Sequence, residues 1–100
     1  MKSAVQLKKP YGQAAFSRMH HARYLGWEDA FDVEFADGRC FVEPHSVLRK
    51  ANHISAKAIP IAVAVDEELA SHFTITYDTG ETAEVSWAFI RELPPKKPRK

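Results

Sequence analysis

The sequence has a single cysteine and no long apolar run. Cys40 stands alone among 100 residues, which excludes an internal disulfide and any zinc or iron–sulfur site built from several cysteines of this chain. No stretch approaches the roughly 18 apolar residues of a membrane-spanning helix, and residues 1–6 lack the apolar core of a secretory signal. We therefore expect a cytoplasmic protein that makes no membrane contact.

Glycine is sparse, and the histidines do not form a metal-binding pattern. The four glycines form neither a phosphate-binding loop nor a Gly-x-Ser-x-Gly nucleophile motif. His20 and His21 are adjacent and so point to different faces of a helix or strand. Cys40 and His45 supply two ligands at most, and a metal ion needs three or four. We therefore expect no metal, no other cofactor and no catalytic activity.

The composition is that of one globular domain, with 45% hydrophobic and 27% charged residues. Its charges are segregated, because residues 1–24 carry five basic side chains and no acid, and the last five residues carry four basic side chains. Three prolines among the last seven residues disfavour both helix and central strand. We predict a partly flexible basic extension at 1–23, one domain at 24–93 and a disordered basic tail at 94–100.

Two stretches of the chain predict β-hairpins. Apolar and polar residues alternate over residues 31–36, then Asp37-Gly38 marks a turn and a second apolar run begins at Cys40. The same order returns over residues 73–77 and at Gly80. A short helix is predicted after each hairpin. A further helix is considered for residues 13–22.

The two hairpin stretches align without a gap at an offset of 42 residues, which indicates an internal repeat. We predict a small β-rich α+β domain of two similar hairpin-plus-short-helix units, at 31–50 and 73–93, around a middle strand at 59–65, with flexible basic termini. The identical pairs are Phe31 with Phe73, Gly38 with Gly80, and Arg49 with Arg91. The predicted core residues are Phe31, Val33, Phe35, Phe41, Leu48, Ile61, Val63, Val65, Phe73, Ile75, Tyr77, Val85, Phe89 and Ile90.

Charge decides the register of the second hairpin. A two-residue loop sets Asp78 opposite Glu81, whereas a three-residue loop pairs Ile75 with Ala83 and needs Gly80 in a left-handed conformation. Both registers are acceptable in the first hairpin, where Gly38 holds the equivalent position. We therefore predict structural turns at both glycines and leave the first register open.

The first hairpin, Pro44, Leu48-Arg49 and the closing segment Ser86-Trp87-Ala88-Phe89-Ile90-Arg91-Glu92-Leu93 resemble the gamma-butyrobetaine hydroxylase N-terminal-like domain over residues 27–93. That family has two hairpin-plus-Leu-Arg units, in agreement with the repeat. In its oxygenase members the domain can hold zinc through cysteines and a histidine, and those ligands have no counterparts beside Cys40. The oxygenase catalytic domain is also absent, so the resemblance implies a binding or accessory module.

Two binding functions follow from these observations. We expect a small non-catalytic module that binds an unidentified protein partner, with Trp27 and Tyr24 as candidate docking residues. The alternative is a nucleic-acid-binding protein that uses the basic N-terminal segment and the tail. Its candidate anion contacts are Lys8, Lys9, Arg18, Arg23, Arg49, Lys50, Lys96, Lys97, Arg99 and Lys100. The oligomeric state stays open.

Overall fold

A computed structural model of the protein describes residues 15–92 and 97–99. The strands form two antiparallel sheets, ordered β1-β2-β3-β7 and β4-β5-β6, which confirms the β-rich α+β class with its hairpin-plus-helix units. None of the helices in this part of the chain is long and apolar enough to cross a membrane. In chain order the elements are β1 (Met19–Leu25), β2 (Ala30–Phe35), β3 (Cys40–Pro44), α1 (His45–Ala51), β4 (Pro60–Val65), β5 (His72–Tyr77), β6 (Thr82–Ser86), α2 (Trp87–Glu92) and β7 (Lys97–Arg99).

The two hairpin turns have the same geometry. The N–H of each turn glycine, Gly38 and Gly80, donates at 2.9 Å to the carbonyl three residues before it. Both glycines have a positive φ, 91° and 93° respectively. The three-residue loop predicted for the second hairpin is confirmed, and the first hairpin adopts it too, with Val33 opposite Phe41.

Each unit has three strands, one more than the sequence predicted. Strand β1 opens the first unit by pairing with β2, and the predicted middle strand, β4, opens the second unit by pairing with β5. Both opening strands have a register shift near their start, between Met19 and His21 and between Pro60 and Ala62. The considered helix over 13–22 is wrong beyond residues 15–17, because strand pairing with β2 overrides a short local pattern. Strand β1 also crosses the domain boundary predicted at residue 24.

The basic tail differs from the prediction of disorder at Lys97–Arg99, which forms strand β7 beside β3. Pro98 lies opposite Phe41, and proline is tolerated on such an edge strand where its missing N–H is not needed. The other tail residues, 94–96 and 100, lie outside the described residues, as do residues 1–14.

The predicted core is largely confirmed, with one error. Val63, Val65 and Phe89 are partly buried and pack against the core. Ile61 is 65% exposed, because the irregularity between Pro60 and Ala62 turns it away from the face that carries Val63. The predicted residues that are buried are Phe31, Val33, Phe35, Phe41, Leu48, Phe73, Ile75, Tyr77, Val85 and Ile90.

The two units exchange their helices. Helix α1 of the first unit packs against β6 of the second, and α2 of the second packs against β3 of the first. One arginine in each helix makes the same contact: Arg49 donates to the carbonyl of Ala58 at 2.9 Å, and Arg91 donates to the carbonyl of Phe16 at 3.0 Å. Both the two arginines and their two acceptors are 42 residues apart, so the repeat extends beyond the hairpins.

We expect Gly38→Val and Gly80→Val each to lower the free energy of unfolding by more than about 1 kcal/mol, because a β-branched residue is strained at positive φ. Open space surrounds both positions, so a clash is not the cause. Gly80→Asn is expected to cost less, since asparagine enters the left-handed region more readily. Denaturant unfolding of the variants measures this, and a valine variant as stable as the original protein contradicts the turn assignment.

Candidate protein-docking site

A groove of about 350 Å³ lies between the opening strands of the two units. Residues 22–24 of β1 form one wall and residues 60–63 of β4 form the other. Both strands lie at the end of their sheets, so neither is hydrogen-bonded to the other. The groove therefore runs along the boundary between the two sheets.

Large apolar side chains are exposed on and beside β4. Ile61 lines the groove and is 65% exposed, and Ile59, which directly precedes the strand, is 57% exposed. Trp27 is 78% exposed in the turn that follows β1. The structure thus places the predicted docking residue Trp27 at the surface, where its ring is available to a partner.

The second predicted docking residue, Tyr24, forms part of the groove wall and is held in place from behind. Its hydroxyl donates to Oδ1 of Asp29 at 2.6 Å, and its ring packs on Phe31 with the centroids 5.0 Å apart. Asp29 has a φ of 49°, in the left-handed region that Asp tolerates better than most residues. This backbone conformation belongs to the tight turn between β1 and β2, where the N–H of Asp29 donates to the carbonyl of Gly26 at 3.4 Å.

His45 continues this network into the core. It is fully buried, with Nδ1 2.9 Å from Oδ1 of Asp29 and Nε2 2.9 Å from the hydroxyl of Tyr77. Because a carboxylate only accepts hydrogen bonds, Nδ1 donates to Asp29, and Nε2 of a neutral imidazole then accepts from the Tyr77 hydroxyl. Both ring nitrogens are thereby satisfied, one by each unit of the repeat.

The network shifts the pKa values of its members. The hydrogen bond to Asp29 is the main cause that raises the pKa of Tyr24 to about 12, and burial adds to it. The same bond lowers the pKa of Asp29, and the bond from His45 lowers it further. Burial raises the pKa of Tyr77. These directions describe a carboxylate that is stabilised by neighbouring donors.

The structure does not gather the candidate anion contacts into one surface. Arg49 turns inward to Ala58, and its Nε atom is buried. Arg23 is exposed but lies 3.6 Å from the carboxylate of Asp32. Arg18 precedes β1 and Lys50 lies near the end of α1, both exposed. Lys97 and Arg99 lie in β7, whereas Lys8, Lys9, Lys96 and Lys100 lie outside the described residues.

Sequence reasoning missed Asp29 and the burial of His45. The repeat contains a signal for His45, because the alignment places it opposite Trp87, another planar ring at the start of a helix. Both residues donate their backbone N–H to the residue 16 positions earlier, Asp29 or Ser71. Within the described residues, no three His, Cys, Asp or Glu side chains are grouped as metal ligands.

No family model, no curated protein and no solved structure matches this chain. The resemblance to the gamma-butyrobetaine hydroxylase N-terminal-like domain therefore stays a prediction. The site has to be interpreted from its own geometry.

We expect Tyr77→Phe to lower the free energy of unfolding by about 1–3 kcal/mol, because the buried Nε2 of His45 loses its donor. Tyr24→Phe is the matched control, since it also removes one hydroxyl. Its cost is expected to be smaller because the carboxylate of Asp29 is 55% exposed and water can replace the lost donor. Thermal and denaturant unfolding compare the two variants, and equal costs would contradict the assigned role of Tyr77.

We also expect Tyr24 to ionise near pH 12, about two units above the ordinary tyrosine value of 10.0. Its folded pKa lies above its unfolded value, so the stability it contributes is present below pH 10 and is lost as the pH rises towards 12. Asp29→Asn removes the negative charge but keeps a residue that tolerates positive φ. An alkaline absorbance titration is expected to show a lower pKa for Tyr24 in this variant. An unchanged titration shows that Asp29 is not the cause.

Proposed function

We propose that this domain is a non-catalytic protein-binding module that docks its partner on the groove between β1 and β4 and on the adjacent turn. The observation that carries the proposal is the exposure of Trp27, Ile59 and Ile61. Tryptophan and other large apolar side chains dominate the binding energy of protein interfaces. Nucleic-acid surfaces are met instead by positive charge.

The composition of β4 supports the same conclusion. Residues 58–65 contain no charged or hydrogen-bonding side chain, although β4 is the last strand of its sheet. Proteins usually protect exposed sheet edges with charges, short strands or bulges. Here the bulge directs Ile61 outward, so it adds to the apolar surface. An apolar edge of this kind favours a partner that covers it.

The rigidity of the groove wall also favours binding. The hydroxyl of Tyr24 is tied to Asp29, and Asp29 is tied to the buried His45. A wall that is already ordered loses little conformational freedom when a partner docks, which increases the affinity for a given contact area. The proposal includes a cytoplasmic location, which the single cysteine of the chain supports.

We expect Trp27→Ala and Ile61→Ser to weaken partner binding by about tenfold or more while the fold is retained, because both side chains are exposed anchors. Leu69→Ser is the control, since Leu69 is 69% exposed but does not line the groove. Affinity capture from native extract with the four proteins, read by quantitative mass spectrometry, identifies proteins that Leu69→Ser retains and the groove variants lose. Melting temperatures check the fold.

Two outcomes contradict this proposal. Equal capture by the groove variants and the Leu69 control shows that the groove does not bind the partner. Recovery of nucleic acid that falls steeply with salt favours the alternative, because each phosphate contact releases counterions.

A further inference from the structure

The third strands of the two units, β3 and β6, hold equivalent positions in the repeat but differ in what lies beside them. Strand β7 pairs antiparallel with the outer edge of β3, with Arg99 opposite Cys40 and Lys97 opposite Val42. Strand β6 is the last strand of its sheet in the described part of the chain. One edge is therefore covered by an added strand, and the equivalent edge is open.

The open edge of β6 presents hydrogen-bonding groups. Tyr77 donates its N–H to the carbonyl of Glu81 at 2.9 Å, so Glu81 and every second residue after it face β5. The intervening residues Thr82 and Glu84 direct their N–H and carbonyl groups outward. They are the equivalents, 42 residues on, of Cys40 and Val42. Among the described residues, no hydrogen bond reaches these outward groups.

A cleft of about 470 Å³ lies along this edge. Leu48 and Ala51 of α1 and Trp87 and Phe89 of α2 contribute apolar surface to it. Glu84 also lines the cleft, and its side chain makes no ion pair with the described residues. The edge thus combines free backbone groups, apolar walls and one available negative charge.

We propose that the open edge of β6 binds an extended basic segment of a partner protein, which pairs with it as an added antiparallel strand. This mode is β-augmentation, in which backbone bonds supply affinity and side-chain pockets supply specificity. The covered edge of β3 is the precedent, because it already accepts a Lys-Pro-Arg segment. Glu84 favours a positively charged segment.

The precedent also defines the sequence that fits. Pro98 lies opposite Phe41, between the two positions where β3 directs its backbone outward. The equivalent of Phe41 on β6 is Ala83, so a proline opposite Ala83 is tolerated. The chain's own tail does not supply the segment, because its attachment close to β3 gives it a high effective concentration there. The proposed site is separate from the groove of β1 and β4, so either can fail without the other.

Titration of the isotope-labelled full chain with a synthetic peptide of residues 93–100 tests the proposal by NMR. We expect the amide signals of Thr82 and Glu84 and the indole signal of Trp87 to shift with saturation. Glu84→Lys is expected to weaken peptide binding by about tenfold, which corresponds to about 1.4 kcal/mol. Glu67→Lys, a matched charge reversal at an exposed residue outside the cleft, is expected to leave it within about twofold.

Glu84→Pro removes one outward N–H without removing a bond to β5, and it is expected to weaken binding as well. The spectrum of each unbound variant shows whether it is folded. The proposal is overturned if millimolar peptide shifts no β6 signal, or if the shifts fall on Cys40 and Val42 instead. Equal weakening by Glu84→Lys and Glu67→Lys also overturns it, because that result describes general charge attraction.

Discussion

The buried imidazole of His45 is the constraint on which the rest of this structure depends. A histidine with no exposure to solvent needs a partner for each ring nitrogen, because an unsatisfied buried polar atom is costly. Asp29 of the first unit and Tyr77 of the second supply these partners. The ring therefore fixes the position of one unit on the other. Through Asp29 it also fixes Tyr24, which forms the groove wall, and the turn that carries Trp27.

The two units share a backbone plan but have different chemistry. Both helices start with the same backbone hydrogen bond, and both place an arginine on the carbonyl of an equivalent residue. Arg91 in addition pairs with Asp37 at 3.0 Å, and its guanidinium lies over the ring of Phe16 at 3.8 Å. The polar network around His45 has no such counterpart, because Ser71 and Trp87 take the places of Asp29 and His45. The repeat thus produces two different surfaces from one framework.

The parts of the fold that follow from local patterns could be predicted. Alternation identified β2 and β5, and like-charge repulsion between Asp78 and Glu81 decided a turn. Strand β1 could not be identified, because its exposed His20, His21 and Arg23 hide the alternation, and its pairing with β2 is a tertiary event. Of the candidate site, the exposed Trp27 was predictable. The burial of His45 was not, because its partner Tyr77 lies 32 residues away.

The exchange of helices means that neither unit is structurally complete. A chain of one unit exposes the strand that the other unit's helix covers, and it presents a helix with nothing to pack against. Two copies of such a chain satisfy each other about a two-fold axis, since every exchanged contact has its counterpart 42 residues away. The protein therefore has the architecture of a symmetric dimer fused into one polypeptide. Fusion frees each half to change its side chains independently, which a true homodimer cannot do.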